Sequence, residues 1–345
     1  MNKNRKLTII DIARLTGFSK STVSKVLRNE SYVSKKTKDK IIKIIKETGF
    51  FPNEVARKLV TGKPLDSIGL IVSDISNPFF SEIASGAEME AKKNSISIIF
   101  LNTNYDKDSE RRDIDILIKN RVMGILLATP TTKDGNVLYL EEIGFPYVLL
   151  TRKVSGLNSN IVSVDHFKAS KNAVEYLVKK GHERIAHFSS NEKVYGIIQR
   201  EKGYLDALKK NGISINKELI LYTDLTIDGG YNAARDLINK RKELRPTAIF
   251  CTNDMIAIGA LEFFNQVGIK VPENMSVIGY DDIPYSSLRM INLTTVKQPM
   301  IEMGIKAVQL LLKIINANNP KPIQYILKSK LVERGTVSDN TQVFI

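Results

Sequence analysis

The chain has 345 residues, of which 43% are hydrophobic and 26% charged, and these proportions are typical of a folded globular protein with two or three domains. No run approaches the roughly 20 apolar residues of a membrane span, and the N-terminus lacks the apolar core of a signal peptide, so we expect a cytoplasmic protein. The single cysteine, Cys251, excludes an internal disulfide, and three histidines offer no ligand set for zinc, so we expect neither a metal nor a cofactor.

The net charge of +14 is concentrated at the N-terminus. Residues 1–63 carry 16 Lys and Arg against 5 Asp and Glu, whereas the other 282 residues carry 35 against 32. A dense basic segment attracts a polyanion, because phosphates that it neutralises release their counterions. A merely soluble basic surface would show a more even spread, so the distribution indicates nucleic acid as a partner.

The basic segment begins with two short amphipathic helices separated by a glycine. Thr8, with Asp11 three residues later, predicts the N-cap of the first helix, and Gly17 predicts its end. Ser19 then caps a second helix, 20–28, whose valines face inward and whose lysines and serines stay outside. This pair predicts a helix-turn-helix whose second helix enters the major groove of DNA.

A third helix is predicted from the cap Ser34 to a stop at Gly49, which completes a head of residues 1–50. The segment that follows, "FFPNEVARKLVTGKP", predicts a short helix with Pro52 in its first turn and a Gly-Lys-Pro exit. We therefore expect residues 51–64 to form a helical linker.

From Ser67 onward, short apolar strands alternate with amphipathic helices. Repeated β-α-β units predict an α/β fold with parallel sheets covered by helices, and two such series predict two similar lobes rather than one very large sheet. We expect the first lobe at residues 65–160 plus 294–322 and the second at 161–293 plus 323–340.

The sequence motifs of the common nucleotide enzymes and hydrolases do not occur in this chain. It contains no G-x-G-x-x-G, no G-x-x-x-x-G-K-[ST] and no G-x-S-x-G, and no Ser-His-Asp or Cys-His set can be singled out. The sequence therefore gives no support for an enzyme.

Polar residues follow several of the predicted strands. Because ligands of open parallel sheets bind beyond the carboxyl ends of the strands, these residues predict a cleft between the lobes that holds a small polyhydroxylated molecule, with Phe79 or Phe80 available for stacking. The alternative is that Asp165 and Asn253 simply cap the helices that follow them. The set at the strand ends is Asp74, Arg152, Asp165, Asn253, Asp254, Asp281 and Asp282.

The chain resembles the LacI/GalR family of bacterial transcription regulators over nearly its whole length, about residues 7–334. The motifs that carry the resemblance are "TIIDIARLTGFSKSTVSKVL", "FPNEVARKL", "IGLIVSDISNPFF", "NRVMGILL", "KKGHERIAHF", "TAIFCTNDMIAIGAL", "VPENMSVIGYDD" and "LTTVKQP". The resemblance implies a helix-turn-helix head, a hinge helix and a core similar to periplasmic sugar-binding proteins. It also implies a homodimer, or a dimer of dimers, on a pseudopalindromic operator.

The resemblance further implies roles for individual residues. Lys25 stands where many members carry Arg, and a lysine cannot make a bidentate fork to guanine, so the operator sequence of relatives does not transfer. In the hinge helix, which the family folds in the minor groove, Leu59 matches the side chain that opens the central base step. The positions implied for the major groove are Lys20, Ser21, Thr22, Lys25 and Arg28, and those for the hinge and minor groove are Asn53, Val55, Ala56 and Leu59.

The resemblance also places an effector in the cleft. Thr151 stands where some relatives have an acid, and "DHFKA" replaces a common "DN..G", so the identity of the effector stays open among a sugar, a sugar acid and a sugar phosphate. Two arginines in the implied set favour an acid or a phosphate over a neutral sugar. The implied effector contacts are Asp74, Phe79, Arg152, Arg200, Asn253, Asp281 and Gln298.

The function expected from these features is a DNA-binding repressor of a carbohydrate-utilisation operon that a sugar-like effector controls. One alternative is a global regulator that uses a protein corepressor. A sugar-binding transport protein is disfavoured by the basic head, and an α/β enzyme with a fused head is disfavoured by the missing motifs.

Overall fold

The computed structural model divides the chain into two compact units, Met1–Leu65 and Asp66–Ile345. The residues that it describes are 7–27, 32–50, 66–128, 135–154, 156–192, 194–240, 244, 246–317 and 321–340. The predicted linker and Arg28 lie outside these residues. No helix in the described ranges is long and apolar enough to cross a membrane.

The described part of the first unit is a small helical domain. Its helices are α1 (Ile9–Thr16), α2 (Lys20–Leu27) and α3 (Lys35–Thr48). Each helix contributes an apolar side chain with no exposed surface to the shared core, namely Ile12, Val23 and Ile41. The predicted three-helix head is therefore confirmed over these residues.

The predicted caps explain where the helices of the head begin and end. At α1 the Thr8 side chain accepts from the amide of Asp11, and the Asp11 carboxylate accepts from the Thr8 amide in return. Ser19 Oγ accepts from the amide of Thr22 at 3.1 Å and starts α2. Gly17, with a φ of 74°, ends α1 in the left-handed conformation that glycine adopts without strain.

The second unit alternates strands and helices as the sequence predicts. The strands are β1 (Ser67–Val72), β2 (Ser97–Asn102), β3 (Ile125–Ala128), β4 (Tyr147–Leu150), β5 (Ile161–Val164), β6 (Ile185–Ser189), β7 (Ile220–Tyr222), β8 (Ala248–Cys251), β9 (Ser276–Asp281), β10 (Thr294–Lys297), β11 (Gln324–Leu327) and β12 (Lys330–Val332). The helices are α4 (Pro78–Lys93), α5 (Lys107–Lys119), α6 (Gly135–Glu142), α7 (His166–Lys179), α8 (Tyr195–Lys210), α9 (Ile227–Lys240), α10 (Asp254–Gln266) and α11 (Met300–Ile315).

The strands form two sheets of six, one for each lobe. The sheet of the N-terminal lobe has the order β11-β5-β4-β3-β1-β2, and that of the C-terminal lobe has the order β12-β10-β9-β8-β6-β7. The paired strands are parallel except β10 and β12. Strands β1, β3, β4, β5, β8 and β9 are buried along their whole length, as parallel strands covered on both faces must be.

The expected lobe boundaries differ from the observed sheets at three strands. Strand β5, assigned by the sequence to the second lobe (161–293), lies in the first sheet beside β4, and β11, within the expected 323–340, pairs with β5 in that sheet. Strand β10, within the expected 294–322, lies in the second sheet beside β9. The chain therefore crosses between the lobes at residues 164–166, 297–300 and 327–330. Helix α11 packs on α4 in the first lobe, as expected.

Candidate functional site

Helix α2 presents a polar face that suits contact with base edges. The side chains of Lys20, Ser21 and Lys25 are exposed, whereas Val23 and Val26 are buried in the core. The cap orders the start of this face, because Ser19 Oγ lies 2.8 Å from Ser21 Oγ and 2.8 Å from Thr22 Oγ1. The structure thus brings four of the five residues expected at the major groove onto one helix.

A cavity lies at the carboxyl ends of both sheets of the second unit. Its volume is about 60 Å³, which holds a few water molecules. The N-terminal lobe contributes the start of α4, the last residue of β3 and residues that follow β1, β2 and β4. The C-terminal lobe contributes the start of α8, the last residue of β9 and residues that follow β7 and β8. The lining residues are Ser73, Asn77, Phe79, Phe80, Tyr105, Ala128, Thr151, Val194, Gly196, Ile197, Arg200, Leu225, Asn253 and Asp281.

The C-terminal wall of the cavity is built around Arg200. Its Nη1 donates to the carbonyl oxygen of Thr252 at 2.5 Å, and its guanidinium carbon lies 3.9 Å from the centre of the Tyr280 ring. Its Nη2 lies 3.8 Å from Asp281 Oδ1. The stack and the carbonyl hold the guanidinium in one orientation at the cavity surface.

Asp281 is the acidic group of the same wall. Its Oδ1 accepts from Gln298 Nε2 at 2.7 Å, and its φ of 127° is a conformation that a non-glycine residue rarely adopts. Burial raises the pKa of Asp281 to about 7, although Arg200 and Gln298 act in the opposite direction. Carboxylate and guanidinium therefore share one surface of the cavity, where each can bind a hydroxyl group.

Asn253 both lines the cavity and caps α10. Its Oδ1 accepts from the amide of Ile256 at 2.8 Å, and its Nδ2 donates to the carbonyl oxygen of Leu225 at 3.2 Å. Asp165 caps α7 by accepting from the amide of Lys168 at 2.9 Å, and it does not line the cavity. The capping alternative thus describes Asp165, whereas Asn253 combines a cap with a place in the cavity wall.

The N-terminal wall of the cavity is largely aromatic. Phe79 and Phe80 pack edge to face with ring centres 5.1 Å apart, and Asn77 Oδ1 caps their helix by accepting from the amide of Phe79 at 3.0 Å. Tyr105 and Thr151 complete this wall, with φ values of 62° and 60°. Strained backbone of this kind collects at binding sites. Sequence reasoning missed Tyr105 as a lining residue, because nothing in its local pattern distinguishes it from a loop residue.

Three of the expected effector residues lie outside the lining. The guanidinium of Arg152 is fully buried inside the N-terminal lobe, where its Nη1 lies 3.5 Å from Glu110 Oε2. Asp74 accepts from the amide and the hydroxyl of Ser76 at 2.9 and 2.6 Å. Gln298 lies behind the cavity and contacts it through Asp281. The other four, Phe79, Arg200, Asn253 and Asp281, lie together at the cavity.

Other buried ionisable groups in the core serve the fold. Asp254 accepts from the amide of Ile283 at 2.9 Å and from Ser286 Oγ at 2.7 Å, and burial raises its pKa. Asp282 binds Arg334 at 2.6 Å. Within the described ranges, no group of three or more His, Cys, Asp or Glu could hold a metal ion.

Family comparisons match both units. Residues 8–53 match the family described as bacterial regulatory proteins, lacI family, and residues 65–334 match the family of periplasmic binding proteins and the sugar binding domain of the LacI family. The ribose operon repressor of Escherichia coli strain K12 is 32% identical over 330 residues, which are 95% of this chain and 99% of that protein.

Solved structures agree with these matches. The Lac repressor dimer bound to operator and the anti-inducer ONPF is 27% identical, with a TM-score of 0.84 over 97% of this chain and 100% of that one. A LacI family transcriptional regulator from Enterococcus faecium with bound ribose is also 27% identical, with a TM-score of 0.70 over 79% of this chain and 99% of that one.

Proposed function

This chain belongs to the LacI family of bacterial regulatory proteins and is a DNA-binding transcription regulator, and we propose that it represses a carbohydrate-utilisation operon until a neutral sugar occupies its cavity. The observation that carries the proposal is the cavity wall in which Arg200 and Asp281 lie together, opposite Phe79. Guanidinium and carboxylate pair with vicinal hydroxyl groups, and an aromatic ring covers the apolar face of a sugar.

The charge at the cavity favours a neutral sugar over a sugar acid or a sugar phosphate. Among the lining residues of the described chain, Arg200 is the one permanent cation, and Asp281 lies beside it. The second arginine expected there, Arg152, faces Glu110 instead. An anionic ligand would need a cation without such a counter-charge, because bringing its charge into the cavity costs hydration.

The DNA-binding role rests on α2. We assign base contacts to Lys20, Ser21, Thr22 and Lys25, of which the lysines also neutralise phosphates. The relative solved on its operator is a dimer, and we propose that this chain likewise binds a pseudopalindromic operator as a homodimer. Arg28 and the hinge positions Asn53, Val55, Ala56 and Leu59, which lie outside the described residues, remain proposed DNA contacts.

The control of DNA binding follows from the position of the cavity between the lobes. A sugar that contacts both walls of the cavity favours whichever lobe arrangement it binds better, by its differential affinity for the two arrangements. A coupling of about 1–3 kcal/mol between sugar and operator changes operator affinity about 5- to 150-fold.

A thermal-shift screen of the full-length protein tests the proposed effector class. The panel is D-ribose, D-galactose, cellobiose, D-glucuronate and D-glucose 6-phosphate, applied to the wild type, Arg200→Met and a control, Arg235→Met, which replaces an exposed arginine of α9. We expect a neutral sugar to raise Tm in the wild type and the control but not in Arg200→Met, because a ligand that binds the folded state stabilises it.

Two results would count against this function. Tight binding of D-glucuronate or of the phosphate alone would contradict the neutral-sugar class. No shift with any compound, in protein that still binds DNA, would favour a protein corepressor.

A further inference from the structure

His166 lies where the chain first passes from the N-terminal to the C-terminal lobe. Strand β5 ends at Val164 in the first sheet, and α7 begins at His166 in the second lobe. The side chain is only 2% exposed and packs against the first turn of α8, where an added Cβ on Gly196 would lie 3.3 Å from His166 Nε2. A polar ring so deeply buried requires hydrogen-bond partners.

The partners of His166 come from both lobes. In the C-terminal lobe, its Nδ1 lies 3.1 Å from the hydroxyl oxygen of Tyr280. In the N-terminal lobe, its Nε2 lies 3.5 Å from Oγ of Ser163, on strand β5. Burial, followed by the charge of Arg200, lowers the pKa of His166 well below its usual value, so the imidazole is neutral, with one nitrogen that donates and one that accepts.

Tyr280 connects this ring to the cavity. Its side chain has no exposed surface, and its ring lies 3.9 Å from the guanidinium carbon of Arg200. The hydroxyl bond to His166 fixes one end of the tyrosine, and the guanidinium stacks on its face. Arg200, at the end of this chain of contacts, lines the cavity.

We propose that His166 is a positioning residue for effector binding, which holds the guanidinium of Arg200 in place through Tyr280. The effector part of this inference rests on the proposed function of the cavity. His166 does not line the cavity, so it acts on the effector through Tyr280 and Arg200.

The chain offers a matched control in His182. This histidine is also buried, with 3% of its surface exposed, and burial lowers its pKa as well. Its Nδ1 lies 2.9 Å from Thr247 Oγ1 and its Nε2 lies 3.2 Å from the carbonyl oxygen of Ser338. Its partners are not cavity residues. Replacing His182 therefore reproduces the structural cost of losing a buried imidazole without touching the contacts of Arg200.

The test combines a measurement without ligand and a measurement with ligand on the full-length protein. The variants are His166→Leu, His166→Asn, Tyr280→Phe and His182→Leu. The first readout is the NMR signal of Arg200 Nε–H in arginine-labelled protein, assigned with Arg200→Lys, because a guanidinium stacked on a ring has a shifted resonance. The second is calorimetric affinity for whichever of D-ribose, D-galactose and cellobiose raises Tm most.

We expect the Arg200 signal to move in His166→Leu and Tyr280→Phe and to stay in place in His182→Leu. In His166→Asn the signal is expected near the wild-type position, because an amide oxygen close to the Nδ1 position can still accept from Tyr280. Sugar affinity should fall about 5- to 10-fold in His166→Leu and in Tyr280→Phe. It should fall no further in a double variant that combines these two changes, because both remove the same hydrogen bond.

An Arg200 signal that does not move in His166→Leu would overturn the inference, as would additive losses of affinity or an equal loss in His182→Leu. If none of the three sugars binds the wild type, the proposed effector class fails, and the Arg200 signal still decides whether His166 positions the guanidinium.

Discussion

Replacing Glu110 by glutamine would remove the carboxylate that faces the buried guanidinium of Arg152 inside the N-terminal lobe. Arg152 has no exposed surface, Glu110 is 2% exposed, and the charged atoms lie 3.5 Å apart. At this distance the attraction is about 5 kcal/mol for an effective dielectric constant of about 20. Burial lowers the pKa of Arg152, and Glu110 opposes this effect, so the carboxylate is what keeps the buried cation tolerable.

We therefore expect Glu110→Gln to lower the free energy of unfolding of the core by about 3–5 kcal/mol, the usual cost of breaking a buried pair from one side. Arg152→Met should lower this free energy by a similar amount, whereas the double variant Glu110→Gln/Arg152→Met should recover most of the loss, because the buried carboxylate and the buried guanidinium are then both removed. Urea unfolding of the full-length protein, followed by circular dichroism, measures the free energy of unfolding of all three variants. The control is Glu88→Gln, which breaks an exposed pair with Lys92 and should change this free energy little.

The same variants separate stability from effector binding. Because the guanidinium of Arg152 does not line the cavity, the double variant should bind a neutral sugar within about threefold of the wild type. A coupling energy below about 1 kcal/mol in the double-mutant cycle would refute the argument from burial. An Arg152→Met variant that keeps its stability but no longer binds the sugar would also refute it, and would instead make Arg152 an effector contact.

Three further predictions concern the cavity, the core and the head. Since burial raises the pKa of Asp281 to about 7, the folded core keeps a proton that the unfolded chain releases above about pH 4. Asp281→Asn should therefore raise the free energy of unfolding at pH 8, by an amount that shrinks as the pH falls through 7 towards 4, and a pH-independent difference in urea titrations would contradict this. Gly86→Ala should lower the free energy of unfolding by more than about 2 kcal/mol in the same assay, because its Cβ would overlap the carbonyl oxygen of Ile301. A change near zero would mean that α4 and α11 can move apart to make room for the methyl group. Thr8→Ala should destabilise the head by about 1 kcal/mol through loss of the reciprocal cap with Asp11, seen as a lower Tm of the head transition, whereas Thr8→Ser should retain it.

The sequence predicted best those features that short-range chemistry determines. Helix α10 begins at Asp254, directly after Asn253, whose side chain caps it as the sequence suggests. The caps of the head are confirmed for the same reason. Assignment of strands to lobes failed at β5, β10 and β11, because a short apolar run has the same composition whichever sheet it joins.

The site was harder to predict than the fold, because adjacent residues at a strand end point to different places. Thr151 and Arg152 both follow β4, yet Thr151 lines the cavity and Arg152 points into the lobe. Thr151 has a left-handed backbone conformation, which turns the chain between these two side chains. The local sequence does not predict this conformation, because threonine seldom adopts it. The contact between His166 and Tyr280 joins residues 114 positions apart, so it too depends on tertiary packing.

Two of the three crossings between the lobes meet the end of strand β9. His166, at the first crossing, is hydrogen-bonded to Tyr280. Gln298, at the second, donates twice to Asp281, from its Nε2 to the side-chain Oδ1 at 2.7 Å and from its backbone amide to the carbonyl oxygen at 3.1 Å. Lobe rotation must change backbone angles at the crossings, and a ligand can drive it only by binding one arrangement better than the other. A sugar that contacts Asp281 and Arg200 would touch the residue bonded to the second crossing and the residue that stacks on Tyr280, which is bonded to the first. A sugar that binds these two side chains better in one lobe arrangement than in the other would therefore act on both crossings through the end of β9.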